Sequence, residues 1–438
     1  MRCKVECTRR QATLFAVVLV LFLYVSLSLE NAWLVRLGTL ILPTCFGLKK
    51  FPFLKNNFNY QQTVLDMLKN DKQLSAENLL VVKQKMKWAV EPIRQDKSLS
   101  KADADERIFK CWQGLHEIVL HDASWCYGKD VGSMPYYQAL KYTNMRINDV
   151  LGEILGLVYP KYPLSEGPPG ILGPFDEAEA KKALSNLNKN GYHIMSKRLK
   201  PELIAQIQGS LSNLTYKNHP KFDPTVRDGS VNFVEDQRET IEKVPMSIDL
   251  MLDPTIMHIV QDYLGASPVN MQVNTWWSVA GGGASITQMW HQDFTWVKFI
   301  KIFVYVNNVF KANGAHRYIP GSFKDISHVL ELKHGDYEVS NRVSEAEIQK
   351  LYPGKETYME GPAGTILLED TRGFHAGVPL KEGYRQLMQW EFAISNYRYD
   401  WNEWAVTRIC QSSLKAGQLE GLKKYPRIFE RLKVNRNC

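Results

Sequence analysis

Two histidines and an aspartate form the first pattern in this chain that could carry chemistry. His291 and Asp293 are separated by one residue, His375 lies far downstream, and Arg385 follows that histidine by ten residues. Two imidazoles and one carboxylate are the ligands that hold iron(II) in a facial triad and leave positions open for a co-substrate and dioxygen. An arginine can bind a carboxylate through two parallel hydrogen bonds, which suits the far carboxylate of 2-oxoglutarate. The pattern therefore predicts an oxidative metal site.

The residues around these ligands have a characteristic order. Trp290 precedes the first histidine, the segment 313–322 reads N-G-A-H-R-Y-I-P-G-S, and the segment 364–370 reads G-T-I-L-L-E-D before His375. Over roughly residues 173–400 the chain resembles the phytanoyl-CoA dioxygenase family of iron(II)/2-oxoglutarate oxygenases. That family carries a W-H-x-D iron motif, an N-G-x-x-x-x-x-P-G-S turn and a distal H…R pair.

The resemblance implies a set of cofactors and the residues that bind them. Iron(II) would be held by His291, Asp293 and His375, and 2-oxoglutarate by Arg385, with dioxygen as the other co-substrate. The implied reaction is hydroxylation of an organic substrate, coupled to decarboxylation of 2-oxoglutarate to succinate and CO2. A carboxylate at position 293 favours oxygen insertion, because the halogenating relatives have glycine or alanine there. The substrate class stays open among small molecules, lipids and glycans.

Two further polar residues lie near the predicted site. Asn274 shares a strand face with Gln272, because alternate residues of a strand point to the same side. If that face looks into the barrel, the Asn274 amide can hydrogen-bond 2-oxoglutarate; otherwise it satisfies a strand end. His316 stands between two turn sequences, and we expect it in a turn near the mouth of the barrel rather than as an extra ligand.

Two other functions are compatible with the same residues. A catalytically silent, membrane-tethered binding protein would keep the fold, although all four site residues would then persist unused. A zinc hydrolase would use the same three ligands and would need a general base beside the open site. Glu369 and Asp370 are the nearest candidates in sequence, and nothing in the sequence orients them toward that role.

The strands that must position these residues are short and separated by turn signals. From about residue 269 the chain is rich in β-branched and aromatic residues. The predicted strands are Val269–Val279, Ser285–Trp290, Phe299–Val306, Gly364–Leu368 and Gln386–Phe392. The predicted fold class is α+β, with a double-stranded β-helix (jelly-roll, cupin-like) catalytic domain and flanking helices. A transmembrane helix and a mainly helical region are expected before it.

The N-terminal segment indicates where the protein resides. Ala12–Leu29 is an uncharged apolar run of 18 residues that follows Arg9 and Arg10. Such a run can span a membrane as a helix, and its basic flank favours a cytosolic N-terminus with the catalytic domain in the lumen of the endoplasmic reticulum or Golgi. A cleaved signal peptide, which would make the protein secreted, is the alternative. The glycosylation sequon that begins at Asn213 fits a lumenal face.

Composition excludes some classes of protein and partner. With 45% hydrophobic and 23% charged residues the chain is globular and not disordered. The net charge of +8 is spread along the chain without a nucleic-acid motif, so no nucleic-acid partner is expected. The seven cysteines are too widely spaced for a disulfide framework, although a pair such as Cys111 and Cys126 could close in an oxidising lumen. The oligomeric state is left open.

Together these patterns predict six segments and one insert. They are a basic tail at 1–11, a signal-anchor helix at 12–29, a membrane-proximal and mainly helical region at 30–160, a Pro/Gly-rich linker or ordered loop at 161–175, the dioxygenase domain at 176–400 with an insert or lid at 331–360, and a basic helical tail at 401–438.

Overall fold

The computed structural model describes most of the chain beyond residue 58. The described residues are 59–70, 72–120, 135–164, 167–244, 246–282, 288–293, 298–326, 342–396, 407–436 and 438. Those from Gln61 onward belong to one compact unit. No helix in this part of the chain is long and apolar enough to cross a membrane. The predicted anchor at 12–29 lies outside the described residues and stays a prediction.

A helical region precedes the sheets, as the apolar spacing predicts. Its helices are α1 (Tyr60–Asn70), α2 (Ala76–Ala89), α3 (Glu91–Gln95), α4 (Lys101–Leu120), α5 (Pro135–Tyr142) and α6 (Ile147–Val158). On α2, Val82, Met86 and Ala89 are buried at helical spacing, and the Ser75 hydroxyl caps the helix by accepting from Asn78 N.

Helix α6 joins this region to the rest of the unit. Two of its glycines face the end of a later helix: a Cβ on Gly156 would meet Gly265 O at 2.6 Å, and one on Gly152 would meet Leu264 O at 3.3 Å. Only residues without a side chain allow the backbones to approach so closely. The Pro/Gly-rich segment that follows is also tied down, because Leu172 N donates to Asp253 Oδ2 at 2.9 Å. It is an ordered loop in this part.

Five more helices cover the large sheet or lie near it. They are α7 (Glu177–Asn190), α8 (Pro201–Leu211), α9 (Gln237–Lys243), α10 (Met246–Met251) and α11 (Pro254–Leu264). Helix α7 begins as the sequence predicts, with the Asp176 carboxylate accepting from Glu179 N, and it ends at Gly191 with φ of 88°. A left-handed residue at that position favours glycine, which closes the helix before the first strand.

The large sheet has six strands and is antiparallel throughout. Its strands are β1 (Tyr192–Ile194), β2 (Val231–Phe233), β3 (Val269–Val279), β4 (Phe299–Tyr305), β7 (Ile366–Glu369) and β9 (Tyr384–Ala393), in the order β1-β7-β4-β9-β3-β2. Four of the predicted strands, at 269–279, 299–306, 364–368 and 386–392, are confirmed here. The predicted strand Ser285–Trp290 is wrong for residues 288–289, which are not in a strand. The next two residues, Trp290 and His291, form only isolated bridges.

A smaller antiparallel sheet faces the large one. It has the order β6-β5-β8, with β5 at His316–Tyr318, β6 at Thr357–Met359 and β8 at His375–Gly377. Buried side chains from the two sheets meet in one apolar core that includes Trp276, Phe303, Tyr318 and Met359. Two facing antiparallel sheets with a core between them are consistent with the predicted jelly roll.

Part of the predicted insert belongs to the barrel itself. Strand β6 lies within 331–360 and pairs with β5. Before it, helix α12 (Glu345–Leu351) is capped by Ser344, and its Glu345 accepts a hydrogen bond from the Trp290 indole at 3.0 Å. Residues 327–341 lie outside the described residues, so a lid there stays a prediction.

The C-terminal residues differ from the predicted helical tail. Alongside helix α13 (Ala416–Lys424) they form two parallel strands, β10 (Thr407–Cys410) and β11 (Leu432–Asn435). A disulfide joins Cys410 to Cys438. The suggested pairing of Cys111 is wrong, because Cys111 is a buried free thiol. The tail prediction failed because a parallel strand pair depends on contacts between distant residues.

Candidate metal centre and cofactor pocket

The two histidines of the motif face each other through an isolated antiparallel bridge. His291 N donates to His375 O at 3.0 Å, and His375 N donates to His291 O at 3.0 Å. In a reciprocally bonded antiparallel pair both side chains project to the same side of the sheet. The two imidazole centroids lie 4.1 Å apart. Backbone pairing therefore brings together two residues that are far apart in sequence.

Each of these imidazoles is held in a single tautomer. His291 Nδ1 donates to Met289 O at 2.8 Å, and His375 Nδ1 donates to Gly373 O at 2.9 Å. Because a carbonyl oxygen can only accept, the proton of each neutral ring lies on Nδ1 and the lone pair on Nε2. Bonds of this kind orient the histidine ligands of metal sites. Both Nε2 atoms are thus ready to bind a metal.

Asp293 completes the cluster. Its Oδ1 lies 3.8 Å from His291 Nε2, and its Oδ2 lies 3.4 Å from His375 Nε2. The three ligand atoms all lie within 4.8 Å of one another. Metal–ligand bonds of about 2.0–2.2 Å allow one ion to join atoms up to about 4.4 Å apart, which covers both distances from Asp293. The predicted triad is therefore brought together by the fold.

The protonation states of two ligands also fit a metal. Burial, assisted by the neighbouring His375, holds the pKa of His291 well below its ordinary value. Burial alone would raise the pKa of Asp293, but the Lys301 ammonium and the two histidines hold it well below its ordinary value. A neutral imidazole and an ionised carboxylate are the forms that bind metal ions.

Lys301 is a residue of the site that sequence reasoning missed. It lies on β4, where its Nζ donates to Asp293 Oδ2 at 2.7 Å and lies 3.9 Å from Glu391 Oε2. Burial would lower the pKa of Lys301, but these two carboxylates raise it, so the ammonium stays charged. A donor on one oxygen of a ligating carboxylate fixes the direction of the other.

A buried histidine–glutamate pair lies beside the triad. His316 Nε2 is 2.9 Å from Glu369 Oε2, and the His316 ring stacks on His375 with centroids 5.6 Å apart. Burial lowers the pKa of His316 to about 3 and raises that of Glu369 to about 8. The pair is neutral near pH 7 and shares one proton. The prediction that His316 lies in a turn is wrong, since it is a strand residue of the inner wall.

Arg385 lies on the inner face of β9 and is 3% exposed. Its Nη1 donates to Gly314 O, its Nε is buried without a partner, and no carboxylate within 4.0 Å pairs with it among the described residues. Burial lowers the pKa of this guanidinium. A cation that is buried without an anion calls for an anionic ligand, because desolvation of an isolated charge is costly.

The space beside Arg385 depends on a glycine of β8. A Cβ on Gly377 would lie 3.3 Å from both Nη1 and Nη2 of Arg385. Gly377 is two residues beyond His375, so the two lie on the same strand face, roughly 6–7 Å apart. A five-carbon dicarboxylate can span such a separation between a metal at His375 and the guanidinium. The residues present therefore fit 2-oxoglutarate.

Asn274 is also placed on the inner face. It lies on β3 opposite Gln389, between the pair Gln272–Glu391 and the pair Ser278–Arg385. Its Oδ1 accepts from Thr275 N at 2.8 Å, and its amide nitrogen has no acceptor among the described residues. The predicted role in binding 2-oxoglutarate stays a prediction, and the placement is compatible with it.

Part of the chain is similar to a known protein family. Residues 187–381 match the model of the phytanoyl-CoA dioxygenase (PhyH) family. The match includes all three residues of the triad and ends before Arg385. No curated protein matches the chain.

Several solved structures are similar to about half of this chain at low sequence identity. HygX from Streptomyces hygroscopicus, with nickel, 2-oxoglutarate and hygromycin B bound, is 13% identical over 51% of this chain and 90% of its own, with a TM-score of 0.36. EctD from S. alaskensis with bound iron is 15% identical over 55% of this chain and 89% of its own, with a TM-score of 0.38. The family match confirms the resemblance seen in the sequence: residues 187–381 are similar to the phytanoyl-CoA dioxygenase family, whose members use iron(II), 2-oxoglutarate and dioxygen.

Proposed function

We propose that this protein is an iron(II)/2-oxoglutarate-dependent dioxygenase that hydroxylates an organic substrate. The observation that carries the proposal is the combination of two Nδ1-bonded histidines and Asp293 with a buried arginine that lacks an anion. When bound, iron(II), 2-oxoglutarate and dioxygen would supply the oxidation, which inserts one oxygen atom into a substrate C–H bond and releases succinate and CO2.

The chain's own residues position these groups. His291, His375 and Asp293 would hold the metal on one side and leave the barrel interior open to the co-substrate. Lys301 would keep one carboxylate oxygen of Asp293 occupied, so that the other faces the metal. Arg385 would bind the far carboxylate of 2-oxoglutarate through its free guanidinium edge, with Asn274 as an additional donor.

The side chains that face the barrel interior beside the metal centre help to exclude water and uncompensated charge. His316 and Glu369 hold one proton between them, so the wall beside His375 presents a neutral surface near pH 7. Trp276, Phe303 and Tyr305 pack the interior beyond it. A dry and shaped cavity is what the protein contributes to cofactor chemistry of this kind.

The geometry does not favour a zinc hydrolase. Glu369 is fully buried and engaged with His316, and Asp370 binds Arg372 and Tyr263. Neither carboxylate is therefore a free base at an open coordination position. A silent binding protein would have no use for an arginine buried without an anion, because such a cation only costs stability.

Anaerobic titration of the full-length protein with iron(II) and 2-oxoglutarate tests the proposal. We expect a visible metal-to-ligand charge-transfer band in the wild type, none in His291→Ala, and a band that needs far more 2-oxoglutarate in Arg385→Met. His219→Ala is the matched control, because His219 also contacts a carboxylate, Asp228 at 2.7 Å, outside the site. A folded, iron-loaded wild type without the band would refute the proposed function.

The location and substrate are part of the proposal. An N-terminal helix at 12–29 would anchor the protein with its catalytic domain in the lumen of the endoplasmic reticulum or Golgi, within reach of lipids, glycans and small molecules. The exposed side chain of Asn213, in the sequon, supports a lumenal face. Expression in secretory cells followed by glycosidase treatment tests this. A mass shift at Asn213 supports lumenal placement, and its absence from a membrane-bound chain contradicts it.

A further inference from the structure

A cavity of about 500 Å³ lies on the helix-covered side of the large sheet. Its walls come from the start of α6, from α11 and from the ends of the strands that hold the metal centre. The lining includes Arg146, Asn148, Tyr263, Lys298, Lys324 and Arg372. Concave sites of roughly 300–1,000 Å³ are typical of small-molecule ligands.

The lining carries four cations and one aspartate, Asp149. Two of the cations are compensated, since Arg372 pairs with Asp370 and Arg146 lies 3.7 Å from Glu91. The other two, Lys298 and Lys324, have no carboxylate within 4.0 Å anywhere in the described part of the chain. The cavity thus has an excess of positive charge at its surface.

Lys298 is the central member of this lining. It is 9% exposed, and its Nζ donates to one neutral acceptor, Leu264 O, at 3.0 Å. An ammonium has three donors, so two are left for a ligand. Burial, together with the nearby Arg372, lowers the pKa of Lys298 to about 8, while the more distant Asp149 and Asp370 act in the opposite direction. Gly152 is a neighbour of this ammonium, because a Cβ there would lie in ordinary van der Waals contact with Nζ, at 3.8 Å.

The first turn of α6 adds a neutral donor. The Asn148 Oδ1 accepts from Tyr136 Oη at 2.5 Å, which fixes the amide and leaves its nitrogen without an acceptor among the described residues. Asn144 and Met145, in the turn just before α6, have positive φ values of 48° and 68°. Non-glycine residues in this region are strained, and such strain often occurs where a turn shapes a ligand site.

The cavity is separate from the metal centre but shares a wall with it. The segment 370–372 forms that wall: Asp293 N donates to Thr371 O at 2.8 Å, and the Gln292 side chain donates to Arg372 O at 2.8 Å. The Arg372 side chain lines the cavity on the other side.

We propose that this cavity binds a phosphate group, free or as part of a small phosphorylated molecule, through Lys298, Lys324 and Asn148. The phosphate oxygens are strong acceptors that can take hydrogen bonds from an ammonium and an amide together. The cavity is larger than the group itself, which leaves space for the organic part of a phosphate ester. The proposal does not depend on the oxygenase function.

Calorimetric titration of the full-length protein without added iron tests the proposal, with inorganic phosphate and glycerol 3-phosphate as probes at constant ionic strength. We expect both to bind, and binding to be roughly ten- to a hundred-fold weaker in Lys298→Met, because a charge-assisted hydrogen bond is lost. Lys161→Met is the matched control: Lys161 lies close enough to affect Lys298 electrostatically but does not line the cavity. The affinity of the Lys161→Met variant for both phosphate probes should change little.

The outcomes separate the possibilities. Tighter binding of glycerol 3-phosphate assigns an ester ligand, and equal binding assigns free phosphate. If Lys298→Met does not fold, Lys324→Gln at the exposed rim should still weaken binding several-fold. No binding by the wild type, or equal loss in Lys161→Met, overturns the site. His291→Ala should bind phosphate like the wild type, so this result is independent of the metal centre.

Discussion

Replacement of Arg385 by methionine separates binding from stability. In the wild type this guanidinium is buried, donates to Gly314 O and has no anionic partner among the described residues. Losing its charge-assisted hydrogen bonds to 2-oxoglutarate should cost roughly 2–4 kcal/mol, or about 30- to 1,000-fold in Kd. The free energy of unfolding without 2-oxoglutarate should be unchanged or higher by roughly 1–2 kcal/mol, because a poorly compensated buried charge is removed.

Unfolding of the iron-loaded protein under anaerobic conditions measures both effects. At a 2-oxoglutarate concentration of about 100 times its Kd the wild type should gain about 2.7 kcal/mol, and a variant with 100-fold weaker binding about 0.4 kcal/mol. Arg427→Met is the control, since Arg427 is also buried and donates to the carbonyls of Ser267 and Ile394. It should lose stability and keep its affinity. Equal 2-oxoglutarate affinity in Arg385→Met and wild type would refute the reasoning.

Three further changes test other parts of the structure. Lys301→Met should weaken iron(II) binding roughly 10- to 100-fold in a metal titration, since Asp293 loses the donor that orients it; unchanged affinity would show that Lys301 only fills space. Gly377→Ala should raise the KM for 2-oxoglutarate several-fold with iron content unchanged, because the new Cβ crowds the Arg385 guanidinium at 3.3 Å. The folded-state pKa of Lys298 is about 8 against 10.5, so the unfolded chain binds more protons between these values. Denaturant unfolding should therefore show Lys298→Met more stable than wild type near pH 7, by at most about 3.4 kcal/mol. That advantage should shrink as the pH rises from 8 to 10.5, and a gap that is independent of pH would contradict the assignment.

The metal ligands could be predicted because their spacing carries the geometry. His291 and Asp293 alternate by two within one extended segment, and the flanking motifs placed His375 and Arg385 in the same site. Local signals also predicted two helices correctly: an N-cap aspartate precedes α7, and a first-turn proline begins α8. These features depend on neighbours in sequence, which a sequence pattern records directly.

The inner wall could not be predicted in the same way. Lys301, His316 and Glu369 belong to three strands. Each faces the metal centre only because of the register in which β4 pairs with β7 and β5 pairs with β8. A slip of one residue would turn each of them to the opposite face. Parallel pairing of β10 with β11 is likewise invisible locally, so the basic C-terminus was predicted as a simple helical tail.

The pairing of His291 with His375 bears on how the protein meets its metal. Both main-chain bonds of this pair form only in the folded chain, and both Nδ1 protons are already donated to carbonyl oxygens. The binding geometry is thus set during folding, and little ordering is left for the ion to bring about. The empty and loaded forms should share one fold, so metals can exchange within an intact barrel. The fraction of protein with iron bound would then depend on the iron concentration in the compartment, and not on whether iron was present while the chain folded.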